Sequence, residues 1–306
     1  MSLLRAVATV SGFTMMSRIT GFARDILIAS ILGAGPIADA FFIAFKFPNF
    51  FRRLTAEGAF TVAFVPTFSR LLQNKGRKDA LEFAEEVISI MAIGLFLFSF
   101  FVIIFMPTIM LGLAPGFIER DWLFDLTVEL ARITFIYLTP ISLVALLGGI
   151  LNSFGKCGAM ASAPILLNII LIVSLVFFEN SMETKGHVLA IAVAISGIAQ
   201  FIWLLEACRQ NGSIPKLRRP RVTERVKKLF KLMLPAVLGA GVVQINLVID
   251  IILASTLPSG SISFLYFADR INQLPLALIG IAIGTALLPK LSREIQCGEL
   301  EKAKRS

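Results

Sequence analysis

The stretch that decides the fold is "GFTMMSRITGFARDILIASILG" (residues 12–33), an apolar segment interrupted by three charged side chains. Arg18, Arg24 and Asp25 lie among phenylalanine, methionine and isoleucine residues. Because arginine stays charged at physiological pH, two guanidinium groups in such a segment need a partner or a water-filled cavity. The meaning of the segment therefore depends on the solvent around it.

The composition of the chain indicates that this solvent is lipid. The chain is 57% hydrophobic and 16% charged, with a mean hydropathy of +0.83, whereas soluble domains carry about 25% charged residues. About 20 consecutive apolar residues span a bilayer as a helix. The sequence therefore predicts an all-α polytopic membrane protein, and Pro48 is predicted to break its long second span. The eight predicted spans cover residues 6–32, 36–70, 84–113, 125–153, 158–178, 187–207, 229–256 and 262–289.

The positive charge of the chain follows the predicted topology. The net charge is +9, and one side of the predicted membrane holds 20 basic loop residues against two, Arg120 and Lys185, on the other. Cytoplasmic loops are enriched in lysine and arginine. The asymmetry places both termini in the cytoplasm and explains the charge without a nucleic-acid partner.

One polar, basic stretch separates two predicted domains. Residues 1–208 form a six-helix lobe, residues 209–228 a cytoplasmic linker, and residues 229–306 the first two helices of a second lobe with a basic tail. The linker either reflects topology alone or lies along anionic headgroups as an amphipathic segment.

A weak internal repeat supports the two-lobe prediction. "ASILGAGPIADAFF" (29–42) aligns with "ASTLPSGSISFLYF" (254–267), and "VPTFSR" (65–70) aligns with "LPKLSR" (288–293). Transporters are often built from duplicated halves with the substrate site between them. A complete second repeat would need four further helices, so the chain is expected to be truncated relative to such a design.

Some of the charges within the predicted spans have local partners. Arg53 and Glu57 are spaced i,i+4, and Glu129 and Arg132 are spaced i,i+3, so both pairs are predicted to be structural. Two further pairs are seven residues apart and could each share a helical face. These are Arg18 with Asp25, and Asp39 with Lys46.

The cations that remain point to an anionic substrate. Arg24, Arg52 and Arg270 have no good local partner in the sequence, and a bend at Gly21 could bring Arg18 and Arg24 to one cavity. Guanidinium groups bind phosphate oxygens through paired hydrogen bonds. A phosphate-bearing substrate is therefore predicted, and internal ion pairs that only hold helices together are the alternative.

Nothing in the sequence predicts a metal site, a cofactor or an enzyme. Asp250 is either a cation or proton site or the distant partner of an arginine, and His187 is the only histidine. Magnesium enzymes need clustered carboxylates, and the sequence has no such cluster. Three cysteines are predicted to be free thiols, namely Cys157, Cys208 and Cys297.

Several motifs resemble those of one bacterial family. The stretch "DAFFIAFKFPNFFRRLTAEGAFTVAFVP" (39–66), with its pattern P-N-x-x-R-R-x-x-A-E-G-A-F, is similar to the MurJ (MviN) family of lipid II flippases. Four shorter motifs fit the same family in the same order, and the resemblance covers essentially the whole chain. They are "SRITGFARD" (17–25), "GGILNSFGK" (148–156), "APILLNI" (163–169) and "YFADRINQLP" (266–275).

The resemblance implies a fold and a function. The fold would be that of the multidrug/oligosaccharidyl-lipid/polysaccharide exporter superfamily, with two six-helix lobes around a cavity. The function would be to move lipid II, an undecaprenyl-pyrophosphate disaccharide-pentapeptide, across the bacterial inner membrane for peptidoglycan synthesis and cell shape. Membrane lipids and other cell-wall synthesis proteins are the further expected partners.

The resemblance also assigns roles to residues. Arg18, Arg24, Arg52 and Arg270 would hold the pyrophosphate, and Asp39 would orient an arginine or help gate the cavity. The other predicted cavity or gating residues are Asp25, Lys46 and Asn49. Family members have about fourteen helices and this chain has eight predicted. The alternatives are therefore a non-transporting remnant or an exporter of another anionic lipid-linked substrate.

Overall fold

The computed structural model describes residues 3–54 and 60–273, except for the side chains of residues 3–7 and 243, and this part of the chain is helical without strands. The all-α prediction is confirmed. A short 3-10 turn, Pro115–Phe117, lies between α5 and α6. The helices are α1 Leu3–Ile31, α2 Pro36–Arg52, α3 Thr61–Lys75, α4 Arg77–Ile104, α5 Met106–Leu113, α6 Asp121–Phe135, α7 Leu138–Ser153, α8 Gly158–Phe178, α9 Lys185–Gln210, α10 Glu224–Ser255 and α11 over residues 261–273.

Five helical stretches of the described residues are long and apolar enough to cross a bilayer, namely Arg77–Ile104, Asp121–Ser153, Gly158–Phe178, Lys185–Gln210 and Glu224–Ser255. The chain is therefore a multi-pass membrane protein. Helix α1 is continuous over the predicted first span but is not in this group, because its charged and small polar side chains lower its hydropathy. The count of eight spans stays a prediction, since much of the eighth lies outside the described residues.

Helix α2 is largely buried in the bundle, and it carries several of the predicted site residues. Its residues from Ala38 to Phe45 are all buried, and Phe41 stacks on Phe45 with ring centroids 5.7 Å apart. The predicted break at Pro48 is not present, because the proline lies inside α2 and the helix continues to Arg52. Proline is tolerated in a membrane helix where neighbouring groups satisfy the freed backbone. The close packing holds the α2 side chains in fixed positions.

The helices run back and forth between two ends of the bundle. We call one of them the distal end. Hydrogen bonds connect its turns, from Lys185 Nζ to the Ile31 carbonyl at 3.3 Å and from Gly116 N–H to Ser255 Oγ at 3.2 Å. The opposite end, the proximal end, holds the turn between α7 and α8 and the connection from α9 to α10. The distal turns cover residues 32–35, 114–120, 179–184 and 256–260.

The connection between α9 and α10, within the predicted linker, is packed on α4. Helix α9 continues to Gln210 and α10 begins at Glu224, so only residues 211–223 are irregular. The backbone N–H of Lys216 donates to the buried Glu85 carboxylate at 3.1 Å, and the Arg218 guanidinium lies 2.7 Å from its other oxygen. Part of the linker charge is therefore matched within the protein.

The described residues belong to two compact units, residues 1–263 and 264–306. The first unit contains α1 to α10 and the first turn of α11. The described part of the second unit is helical, from residue 264 to residue 273. The predicted domain boundaries at residues 208 and 229 stay a prediction.

Candidate substrate-binding and gating site

A buried ion pair on α1 and a buried asparagine on α8 form a network between these two helices. Arg24 and Asp25 are 5% and 6% exposed, and the Arg24 Nη2 to Asp25 Oδ1 distance is 2.6 Å. The Arg24 Nη1 group donates to Asn168 Oδ1 at 2.8 Å. A buried arginine that is paired and hydrogen-bonded on several sides is compatible with the interior of a membrane protein.

The prediction that Arg24 has no local partner was wrong. The long arginine side chain folds back along α1, so that its Nε group also donates to the carboxylate of the next residue, Asp25, at 3.0 Å. Adjacent helical residues start from different faces, and the length of the arginine stem overcomes that separation. Asp25 consequently pairs with Arg24 and not with Arg18.

Asn168 is the residue of this network that the sequence did not single out. It is 4% exposed, and its Nδ2 group donates to the Ser17 carbonyl at 2.9 Å and to Thr20 Oγ1 at 3.1 Å. Gly21 lies against this amide, since a Cβ there would be 3.4 Å from Asn168 Nδ2, which is an ordinary contact distance. An asparagine in the otherwise apolar α8 is the signal that could have identified it.

Arg18 and Arg24 have different surroundings, although both were predicted to face one cavity. Arg18 is exposed on α1 and makes no ion pair or hydrogen bond with any described residue. Gly21 lies within a continuous helix and faces Asn168 of α8. The exposed cation at Arg18 and the buried pair at Arg24 thus lie about 9 Å apart along α1, at 1.5 Å per residue.

The neighbouring arginines at the end of α2 also differ. Arg52 is half-buried, and its Nε group donates to Asn49 Oδ1 at 2.9 Å. Asn49 in turn donates to the Phe45 carbonyl at 2.8 Å, which orients its amide toward the arginine. Arg53 is exposed. Its predicted partner, Glu57, lies outside the described residues.

Asp39 forms a contact at the distal end between the start of α2 and the start of α11. Its carboxylate is 2% exposed and accepts hydrogen bonds from Gly260 N–H at 2.5 Å, Ser263 N–H at 2.8 Å and Ser263 Oγ–H at 2.6 Å. A carboxylate is stabilising at a helix N-terminus, where backbone N–H groups lack partners within the helix. Lys46, seven residues after Asp39, is half-buried in the same helix.

The contact lies where the internal repeat was predicted. Helix α2 begins at residue 36 and α11 at residue 261, which is the offset of 225 between the aligned segments. The turn before α11 has Gly260 at φ +94, a conformation that favours glycine. The second repeat match, at residues 288–293, lies outside the described residues.

Arg270 belongs to the second unit. Its guanidinium carbon lies 5.0 Å from the centre of the Tyr266 ring, and its Nη1 group is 3.5 Å from Gln273 Oε1. A cation over an aromatic face is stabilised by the ring quadrupole. Tyr266 therefore helps to position this arginine.

The other predicted charged residues lie in separate places. The Glu129 carboxylate is 3.3 Å from His187 Nε2, and Arg132 Nε donates to the Ile103 carbonyl at 3.2 Å, so the two side chains make different contacts. Asp250 is exposed on α10. Over residues 3–54 and 60–273, no three histidine, cysteine, aspartate or glutamate side chains are close enough to hold a metal ion. Cys157 and Cys208 are free, and Cys297 lies outside the described residues.

A cavity of about 360 Å³ at the proximal end is separate from these charges. Thr9, Phe13, Lys156, Trp203 and Glu206 are among its lining residues, and none of the four predicted substrate-binding arginines lines it. The predicted site is therefore defined by its side chains on α1 and α2 and not by this cavity.

Comparison with known proteins identifies the family. The family model for lipid II flippase MurJ matches residues 28–306. A probable lipid II flippase MurJ of Rhizobium tropici is 43% identical over 99% of this chain and 57% of its own length. The lipid II flippase MurJ of Burkholderia cenocepacia is 37% identical over 96% of this chain and 58% of its own length. The chain thus spans less than two thirds of these relatives.

Solved structures agree with the sequence comparison. A structure of lipid II flippase MurJ in an inward closed conformation matches 94% of this chain and 59% of its own, with a TM-score of 0.76 and 28% identity. A transporter of the MOP superfamily from Pyrococcus furiosus matches with a TM-score of 0.65 over 92% of this chain and 62% of its own, and at 16% identity it shows the fold alone. Together with the family model and the two relatives, these matches show that the chain belongs to the MurJ family of lipid II flippases.

Proposed function

We propose that this chain moves lipid II from the cytoplasmic to the outer leaflet of the bacterial inner membrane by alternating access. The relatives are named as lipid II flippases, and the geometry of α1 and α2 supports the same activity. The observation that carries the proposal is the Asp39 contact between α2 and α11 at the distal end, with cationic side chains of α1 and α2 away from that end.

The distances of Arg52 and Arg24 from the distal end would place a bound headgroup inside the membrane. Arg52 follows Asp39 by 13 residues of α2, which is about 20 Å at 1.5 Å per residue. Arg24 precedes the distal end of α1 by seven residues, or about 10 Å. A substrate bound by these arginines would therefore lie within the membrane, beneath the Asp39 contact.

The arginines can bind pyrophosphate in two ways. The Arg52 Nε group donates to Asn49 Oδ1, which orients the guanidinium near the end of α2, and a guanidinium can bind phosphate oxygens through paired hydrogen bonds. Arg24 is neutralised by Asp25, so an incoming phosphate would compete with this carboxylate. Such competition makes release of the headgroup possible, because the ion pair between Arg24 and Asp25 can form again.

The proposal includes a two-lobe arrangement and an orientation. Residues 1–208 would form one lobe and residues 229–306 the start of the second, with Arg270 contributed by the second. Both termini and the linker would face the cytoplasm, which is supported by the basic residues of the proximal connections. The distal end would then face the outer leaflet, and the closed Asp39 contact would belong to the inward-facing half of the cycle.

We expect the change Arg52→Ala to abolish the ability of this chain to support growth when a bacterium is depleted of its own lipid II flippase. Hydrogen bonds to charged groups are worth roughly 1.5–3 kcal/mol each, so losing them should weaken substrate binding at least about tenfold. Growth and membrane abundance are both measured. The adjacent Arg53→Ala is the matched control, since Arg53 is exposed and its predicted role is structural, so it should mainly lower abundance and should support growth once abundance is matched.

Two outcomes would count against the proposal. Equal loss of growth with both variants, at equal abundance in the membrane, would remove the special role of Arg52. Failure of the unaltered chain to support growth, although it is inserted in the membrane, would contradict flipping by this chain.

A further inference from the structure

One tight backbone contact of the distal end involves a glycine that no motif singled out. Gly116 lies in the turn between α5 and α6, and its N–H donates to Ser255 Oγ at 3.2 Å. A Cβ built on Gly116 would lie 2.0 Å from the Ser255 carbonyl oxygen, 2.4 Å from its carbonyl carbon and 2.7 Å from Thr256 Cα. All three atoms belong to the backbone, so no side-chain rotation could make room.

Gly116 contacts α10 where this helix ends. Ser255 is 2% exposed and is the last residue of α10, and its Oγ also donates to the Ile252 carbonyl at 2.7 Å. The turn that follows leads directly to Gly260 and Ser263, which bind Asp39. The Gly116 contact and the Asp39 contact therefore hold the two ends of one turn, residues 256–260.

We propose that Gly116 and Ser255 form a second closing contact of the distal gate, in which glycine is required so that two backbones can touch. The inference rests on the proposed function, because a gate has a purpose only if the distal end opens during transport. Asp39 stabilises the closed gate through hydrogen bonds to a helix N-terminus, whereas Gly116 stabilises it by letting two backbones pack in contact. A side chain at position 116 would keep the turn and α10 apart and favour the open distal end.

The test is the rate at which a thiol at the gate reacts with a membrane-impermeant maleimide. Ser263→Cys places the reporter at a fully buried position, and protein without this change supplies the background from native cysteines. Gly116→Ala is compared with Gly112→Ala, a matched control, since a Cβ at Gly112 would meet no atom within 4 Å. The reporter replaces a hydroxyl that donates to Asp39, so all variants carry it and are compared from the same altered contact.

We expect Gly116→Ala to raise the labelling rate about tenfold over Gly112→Ala, as overpacking of a tight contact shifts the equilibrium toward the open form. Ser255→Ala removes only the hydrogen bond and should give a smaller increase in the same direction. Equal labelling in the Gly116→Ala and Gly112→Ala proteins would overturn the proposal. Equal melting temperatures of the two variants show that misfolding is not the cause.

The labelling result is independent of the substrate. No lipid II is present in the assay, so a failure of this chain to flip lipid II would leave the labelling ratio unchanged. If the Gly116→Ala protein does not accumulate, the Ser255→Ala protein is used for the test instead. A labelling rate equal to that of the Gly112→Ala protein would then contradict the second closing contact.

Discussion

Replacing Asp39 with asparagine is expected to release the start of α11 and to abolish transport. The carboxylate accepts three hydrogen bonds from Gly260 and Ser263, and it also provides the negative charge that a helix N-terminus favours. Asparagine keeps one oxygen, but its amide nitrogen would face a backbone N–H. Hydrogen bonds to charged groups are worth roughly 1.5–3 kcal/mol, so the equilibrium constant for closing this contact should fall about tenfold to a hundredfold.

Amide hydrogen exchange measures this release directly. Peptides that contain Gly260 and Ser263 should exchange about ten to a hundred times faster in the Asp39→Asn protein, because exchange reports local opening. Asp125→Asn is the control, since Asp125 is an exposed aspartate of α6. Unchanged protection of residues 260–263 in the Asp39→Asn protein would show that the carboxylate does not hold the distal end.

Removing the buried arginine of α1 is expected to have the largest effect on stability. Arg24→Ala leaves the Asp25 carboxylate without its cation at a site where both residues are buried. Breaking a buried ion pair by removing one partner costs about 3–5 kcal/mol. The double variant Arg24→Ala/Asp25→Ala removes both charges, so its loss of unfolding free energy should be well below the sum of the two single losses.

A double-mutant cycle in detergent micelles tests this coupling. The free energy of unfolding is measured for the unaltered chain, both single variants and the double variant. Arg18→Ala is the control on the same helix, because Arg18 is exposed, and its effect should stay within about 0.5 kcal/mol. Additive losses at Arg24 and Asp25, or equal losses at Arg18 and Arg24, would contradict a structural ion pair.

The course of the helices could be predicted from the sequence, but the contacts between them could not. Apolar stretches predicted helices where α4 and α8 to α10 occur, since lipid requires every backbone group to be satisfied within the helix. The break at Pro48 was predicted wrongly, because proline alone does not end a helix where the proline itself is buried in the bundle. Packing decided this point, and packing cannot be derived from one segment.

The charged residues show the same limit more clearly. The apparent lack of a local partner predicted that Arg24 binds substrate, yet the sequence did not predict its bond to Asp25 or its bond to Asn168, which lies 144 residues away. Asp39 was expected near an arginine or a gate, and its partners at Gly260 and Ser263 lie 221 and 224 residues away. The internal repeat was the one sequence signal that connected the segment containing Asp39 with the segment containing Gly260 and Ser263.

The measurement that tests the central claim most directly is the binding of lipid II to the purified chain. The account predicts saturable binding that Arg52→Ala weakens at least about tenfold and that Arg53→Ala leaves unchanged. An undecaprenyl pyrophosphate should compete, whereas the uncharged alcohol undecaprenol should not, because the arginines would bind the phosphate oxygens. Equal competition by undecaprenol, or equal binding by the two arginine variants, would contradict a cationic pyrophosphate site on α1 and α2.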